Sequence, residues 1–154
     1  MLKTVKEYLK KNEWHFSQVK DKDVFLFGIA GVNGSFQCIA DINEEEHKFL
    51  FFSVCGANSP LEKRETILGL LNRINYNLLI GNFEMDFEDG EIRYRTCISY
   101  EFITPSIDIV DELIMTNIIT MDRCLPGIIG VIGGLSQAQA IELIDTSEEA
   151  NSEK

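Results

Sequence analysis

The stretch from Phe83 to Ile98 leaves this chain the fewest choices. Two alternating runs, Phe83 to Glu88 and Glu91 to Ile98, flank Asp89-Gly90. Alternation sends successive side chains to opposite faces of a strand, and Asp-Gly supplies a tight turn with positive φ. A two-residue loop pairs Phe87 with Ile92, Met85 with Tyr94 and Phe83 with Thr96 on an apolar face. The other face then sets Asp86 against Arg93 and Glu84 against Arg95, with ~0.2–1 kcal/mol expected per pair. Glu88 opposite Glu91 is the one repulsive pair. An antiparallel hairpin with one buried face is therefore expected. Glu84, Asp86, Asp89, Gly90, Arg93 and Arg95 are its structural residues.

The rest of the chain supplies what that hairpin can pack against. Leu2 to Lys11 carries Leu2, Val5, Tyr8 and Leu9 at helical spacing. Trp14 to Val19 reads as a weakly patterned strand. Val24 to Ala30 and Ser35 to Ile42 read as strands about Asn33-Gly34, another hairpin signal. Phe49 to Val54 places Phe49 and Phe51 on one face and Leu50 and Phe52 on the other, so both faces need cover. Ser59-Pro60-Leu61-Glu62 has the cap chemistry of a helix start, and that helix should run to about Leu79, with Gly81 ending it. Thr104-Pro105 should open a long, largely buried helix stopped by Gly133-Gly134, in which Pro126 demands a kink. Ser136 with Gln139 can cap a short last helix, Gln137 to Ile144. The order, α-βββ-α-ββ-α with about five strands, predicts an α+β domain: an antiparallel sheet with helices on one face. Residues 1–145 form a single domain, and 146–154 are expected to be an acidic flexible tail.

Composition narrows the function. The chain has 154 residues and a net charge of -11. Such a surface repels phosphate backbones, so neither nucleic acid nor an anionic membrane is an expected partner. Cys124 to Ile141 is uncharged, but its apolar part falls short of the roughly 20 residues that span a bilayer. The four cysteines are scattered in apolar surroundings, and no signal peptide opens the chain, which together suit a reducing cytoplasm. The two histidines, His15 and His47, give no zinc spacing with them. Cys55 and His47 lie at opposite ends of one strand, too far apart to act as a nucleophile and its base. The glycines from Gly127 to Gly134 match no phosphate loop and end a helix, where phosphate would want a beginning. No cofactor and no enzyme activity are expected.

Two groups of residues stand out as candidate partner-binding positions. Asn75 falls on an apolar helical stripe next to Tyr76. Its amide is either an internal tie, shared with Asn117, from helix to helix or from helix to sheet backbone, or an anchor for a partner's backbone. Phe49, Phe51 and Phe52 supply aromatic surface to both sheet faces. One face takes the helices, and the other is closed internally or by association. Glu84 and Asp86 with Arg93 and Arg95 could in principle form an acid–base site. Carboxylates paired with guanidiniums on a solvated face are held ionised, however, rather than poised for proton transfer.

The run from Leu71 to Arg95, with Asn72-Arg73-Ile74-Asn75-Tyr76-Asn77, Gly81-Asn82-Phe83-Glu84-Met85-Asp86-Phe87-Glu88-Asp89-Gly90 and Ile92-Arg93-Tyr94-Arg95, resembles the YbjN family of bacterial proteins. Thr116-Asn117, Met121-Asp122-Arg123 and Leu125-Pro126-Gly127-Ile128 are similar too. The likeness covers roughly Glu13 to Gly133 and is closest to cyanobacterial members. It implies a sensory-transduction regulator with a fold like that of type III secretion chaperones, which are commonly dimers that bind client segments through apolar surface. It attaches no catalytic residues. The expected function is thus a non-enzymatic, chaperone-like or adaptor module, a homodimer that binds a protein client. The alternative is a small-ligand sensor with a pocket between the sheet and the long helix.

Overall fold

The structure, a computed structural model, describes residues 1–152. Six strands form one antiparallel sheet in the order β1-β2-β3-β4-β6-β5. They are β1 (Ser17–Gln18), β2 (Val24–Ala30), β3 (Ser35–Asn43), β4 (Lys48–Val54), β5 (Asn82–Met85) and β6 (Ile92–Ser99). Helix α1 (Leu2–Lys11) precedes them, α2 (Arg64–Asn75) separates β4 from β5, and α3 (Ile107–Ile132) and α4 (Gln137–Ser152) follow. The α+β class, with helices flanking an antiparallel sheet, is as the element order predicts. The sheet has six strands rather than about five, because the segment from Trp14 to Val19 contributes a two-residue strand.

One face of the sheet builds the core. Phe25, Phe49, Phe51 and Tyr94 are fully buried there beneath Val110, Ile114, Met121 and Ile128 of α3. Asn117 of α3 pins the helix to the sheet. Its amide nitrogen donates to the carbonyls of Phe51 (3.0 Å) and Tyr94 (3.1 Å), on the neighbouring strands β4 and β6, and to the Thr96 hydroxyl. This is the internal tie expected of Asn117.

Several boundaries differ from the sequence reading. Helix α2 ends at Asn75, not near Leu79, and is preceded by a 3-10 turn at Leu61–Lys63. The Ser59 hydroxyl meets the Pro60 carbonyl (3.2 Å) and caps no helix. The cap of α3 is Ser106, whose hydroxyl accepts from the Ile109 N–H (3.3 Å), so Thr104-Pro105 lies in the approach to the helix. Helix α3 continues through Pro126. The Ser136–Gln139 box is present in both directions: Ser136 N–H donates to Gln139 Oε1 (3.0 Å), and Gln139 N–H donates to Ser136 Oγ (3.3 Å). Helix α4 runs on to Ser152, beyond the expected end at Ile144 and into the segment read as a tail. Residues 153–154 of that segment lie outside the described residues.

The β5–β6 hairpin keeps its faces but shifts its register by two residues. Met85 pairs with Ile92, Glu84 with Arg93 and Phe83 with Tyr94. The loop is longer than two residues because its own acidic side chains fold it. Asp86 Oδ1 accepts from the Glu88 N–H and Asp89 Oδ1 from the Glu91 N–H, both at 2.8 Å. Gly90, at φ 80, ends the loop with its backbone against Ser59, where a Cβ would stand 2.2 Å from the Ser59 carbonyl oxygen. Arg64 at the start of α2 donates to the Phe87 carbonyl (2.6 Å). Tertiary contacts thus set the turn that Asp89-Gly90 alone would have made tighter.

Candidate functional site

A flat sheet can be approached on its free face and at its two edges, and the three are built differently here. The free face carries no helix. Its middle row runs Leu26, Ile39, Phe52, Arg95 across β2, β3, β4 and β6. A second row runs Gly28, Gln37, Val54, Arg93 and ends at Glu84 of β5. The apolar strip therefore lies toward β2–β4, and the charged residues lie toward β5. Arg93 sits over the Phe52 ring, 4.6 Å from its centroid, and bonds Glu84 Oε1 at 3.1 Å. Arg95 reaches the same carboxylate oxygen at 3.6 Å. Glu84 thus serves both arginines, which supports the structural reading of the cluster. Asp86 and Asp89 are spent on the loop.

The aromatic candidates divide across the sheet. Phe49 and Phe51 lie in the helix-covered core and are fully buried. As partner-binding residues they would have to leave that core, so the accessible apolar surface is Leu26, Ile39, Leu50 and Val54 around a nearly buried Phe52. Tyr76 is 89% exposed on the turn after α2, beside the fully exposed Leu79. Its accessibility is as a partner-binding role would need.

Asn75 has another occupation. Its Nδ2 donates to the Phe83 carbonyl (3.0 Å), and its Oδ1 accepts from the Phe83 N–H (2.7 Å). In an antiparallel ladder the backbone groups of successive residues face alternate neighbours. Asp86 bonds toward β6 through Glu91, so Phe83 and Met85 point outward from the β5 edge. The Asn75 amide therefore takes the place of a neighbouring strand at Phe83. This is the internal-tie alternative, and it closes the sheet on that side, where exposed backbone would template association.

The β2 edge is the opposite case. Gly31 N–H donates to the Gly34 carbonyl within the β2–β3 hairpin, and Val19 N–H donates to the Val24 carbonyl across to β1. By alternation, Val24, Leu26, Gly28 and Ala30 face away from β3. Strand β1 pairs with Leu26 and stops. It stops because Phe16 and Trp14 turn under the sheet, their rings 5.4 Å from Phe25 and 5.2 Å from Phe27. Gly28 and Ala30 are left exposed, with no hydrogen-bond partner for their outward backbone groups among the described residues.

A depression lies on each side of these two residues. On the free face a trough of about 690 Å³ is floored by Gly28, Ala30, Ser35 and Gly56, with Val54 and Glu91 toward its far end. On the helix side a groove of about 420 Å³ separates the same edge from α3 and is lined by Ile29, Val32, Ile118 and Ile119. Asp122 of α3 holds the hairpin tip beside it. Its carboxylate accepts from the backbone N–H of Val32 (3.1 Å) and of Asn33 (2.9 Å). A Cβ on Gly31 would stand 2.0 Å from Asp122 Oδ1, so a larger residue there would displace the carboxylate that holds the hairpin tip. Sequence reasoning singled out neither Gly28, Ala30 nor Asp122. A glycine inside an apolar strand was the available signal, since it marks a bulge or a close backbone approach.

The chemistry of the remaining groups is that of a core. Burial pushes the Cys38 thiol up to about 12, partly offset by the Ser53 hydroxyl at 3.5 Å. Burial likewise raises the Cys55 thiol and the Tyr94 phenol. His47 packs its ring on Tyr100 at the opposite end of β4 from Cys55. Among the described residues no group of three or more His, Cys, Asp or Glu could hold a metal ion. No helix among them is long and apolar enough to cross a membrane. Beneath the middle of the sheet the space up to α3 is filled by Phe25, Phe49 and Phe51, and the groove at the β2 edge is the pocket that lies between sheet and long helix, where the small-ligand alternative places one.

Comparison with known proteins agrees with this architecture. The YbjN family model, described as "Putative bacterial sensory transduction regulator", matches residues 2–130. The crystal structure of YbjN from E. coli, described as "a putative transcription regulator", superposes with a TM-score of 0.58 at 13% identity, over 86% of this chain and 88% of that one. At that identity the likeness concerns the fold. No curated protein matches the sequence.

Proposed function

Because the chain belongs to the YbjN family, we infer that it is a regulatory module that works by binding other proteins and carries out no reaction of its own. One observation carries this reading: half of the sheet has no helical cover, and its apolar strip is only partly shielded. Leu26 is 37% exposed, and Ile39, Leu50 and Val54 are half-buried. An acidic chain gains nothing in solubility from such a strip, whereas association removes it from water at ~25 cal/mol per Å². The chaperone-like character implied by the family points to a protein client. A second copy of the chain is the other protein that could cover the same face. The net charge of -11 favours partners with basic neighbours around their apolar contact.

Cys97 provides the test. It is the exposed cysteine, and it lies on the free face opposite Leu50. A partner retained on the purified chain should slow alkylation of Cys97 and should be lost from Leu50→Glu. Light scattering across a concentration series tells a second copy from a client. A partner that binds Leu50→Glu undiminished and leaves Cys97 fully reactive would place recognition elsewhere and refute the reading.

A further inference from the structure

We propose that the β2 edge at Gly28 and Ala30 receives an extended peptide from another protein as an additional strand. The proposal rests on the protein-binding reading above and specifies its mode and the chemistry of the partner. Three observations converge on it. The outward backbone groups of Gly28 and Ala30 are exposed and unpaired among the described residues, which offers two consecutive ladder positions. No charged, branched or proline side chain guards them, although sheet edges are ordinarily blunted in such ways. A strand laid there would send alternate side chains to opposite faces, and each face has a depression at that spot.

The two depressions define the peptide. The groove by α3 is walled by Val32, Ile118 and Ile119, with Val32 77% and Ile119 58% exposed, and takes apolar side chains. The trough is floored at the β2 edge by the small residues Gly28, Ala30 and Ser35 and is open to solvent, so it leaves room for long side chains. The chain's charge of -11 makes basic residues the favoured long side chains there. An alternating apolar–basic peptide fits both. A second copy fits less well. A two-fold β2–β2 junction would offer only Gly28 and Ala30 of each chain, far below the ~800 Å² per partner of a stable interface. This chain's own β2 also carries no basic residue to offer an acidic partner.

The test uses the full chain and a synthetic seven-residue peptide that alternates Lys with Val and Phe. Three controls accompany it: the same peptide with Glu for Lys, the same peptide N-methylated at alternate amides, and the Gly28→Lys chain. A Cβ at Gly28 meets nothing within 4 Å, so Gly28→Lys should fold while blocking the edge. Expected is saturable binding that falls at least tenfold with each control, with slowed exchange of the Gly28 and Ala30 amides. Binding insensitive to both N-methylation and Gly28→Lys would overturn strand addition. So would absence of binding at millimolar peptide, or amides at Gly28 and Ala30 already protected in a concentration-dependent dimer. If Gly28→Lys binds as wild type while Leu50→Glu does not, the strand-addition proposal fails and the protein-binding reading survives.

Discussion

The two edges of this sheet receive opposite treatment. At β5, the side chain of Asn75 satisfies both backbone groups of Phe83, leaving only Met85 beyond it facing outward. At β2, the covering strand ends after two residues, and Gly28 and Ala30 face outward with small side chains and a hollow on either side. A closed edge made by one asparagine costs the protein little, so the other edge could have been closed as simply. The difference teaches that the sheet is asymmetric in what it can accept: association is blocked on one side and available on the other.

Opening the closed edge should have the largest effect. Asn75→Ala leaves the Phe83 N–H and C=O without their partner and should cost about 2 kcal/mol in chemical denaturation. It should also produce concentration-dependent association, because it creates a second unprotected edge. An Asn75→Ala chain that melts as wild type and stays monomeric would break the comparison.

Weaker effects should sharpen it. Arg93→Glu removes the bond to Glu84 and the contact over Phe52. At this partly exposed position the loss should be about 1 kcal/mol, read by the shift of the denaturation midpoint. Arg95→Glu should cost less, since Arg95 lies opposite Asn82 and touches Glu84 only at 3.6 Å. The two-residue loop would reverse that order. Gly28→Lys should change stability by no more than about 0.5 kcal/mol in either direction. A large loss there would mean that the β2 edge is packed rather than open.

An effect absent at neutral pH concerns the sheet's centre. The Cys38 thiol ionises near pH 9.0 when unfolded and at about 12 when folded, so the unfolded chain sheds its proton first. Stability is then full below pH 9.0 and declines as pH rises toward 12. Cys38→Ala should lessen that alkaline decline. Because Cys38 belongs to β3, the decline should affect both edges alike.

The sequence made some of this legible and hid the rest for physical reasons. The faces of the β5–β6 hairpin follow from alternation, and a register shift of two leaves them unchanged. The pairing itself depends on Arg64 and Ser59 holding the loop, contacts that lie far off in sequence. Helical spacing places Val5, Tyr8 and Leu9 in the core, as found. It also marks Asn75 as a polar residue on an apolar stripe but cannot say which backbone it meets. Phe49 and Phe51 were separable from Phe52 by alternation, but which face the helices would take was not. The open edge was the least legible feature. It arises where Phe16 and Trp14 draw the chain off β2, a packing preference with no local signal.

Amide hydrogen exchange of the free chain tests the two-edge account most directly. The Phe83 amide should exchange only in the large openings that also free the central strands. The Gly28 and Ala30 amides should exchange within about tenfold of an unstructured peptide. Fast exchange at Phe83, or strong protection at Gly28 and Ala30 in the monomer, would contradict the account.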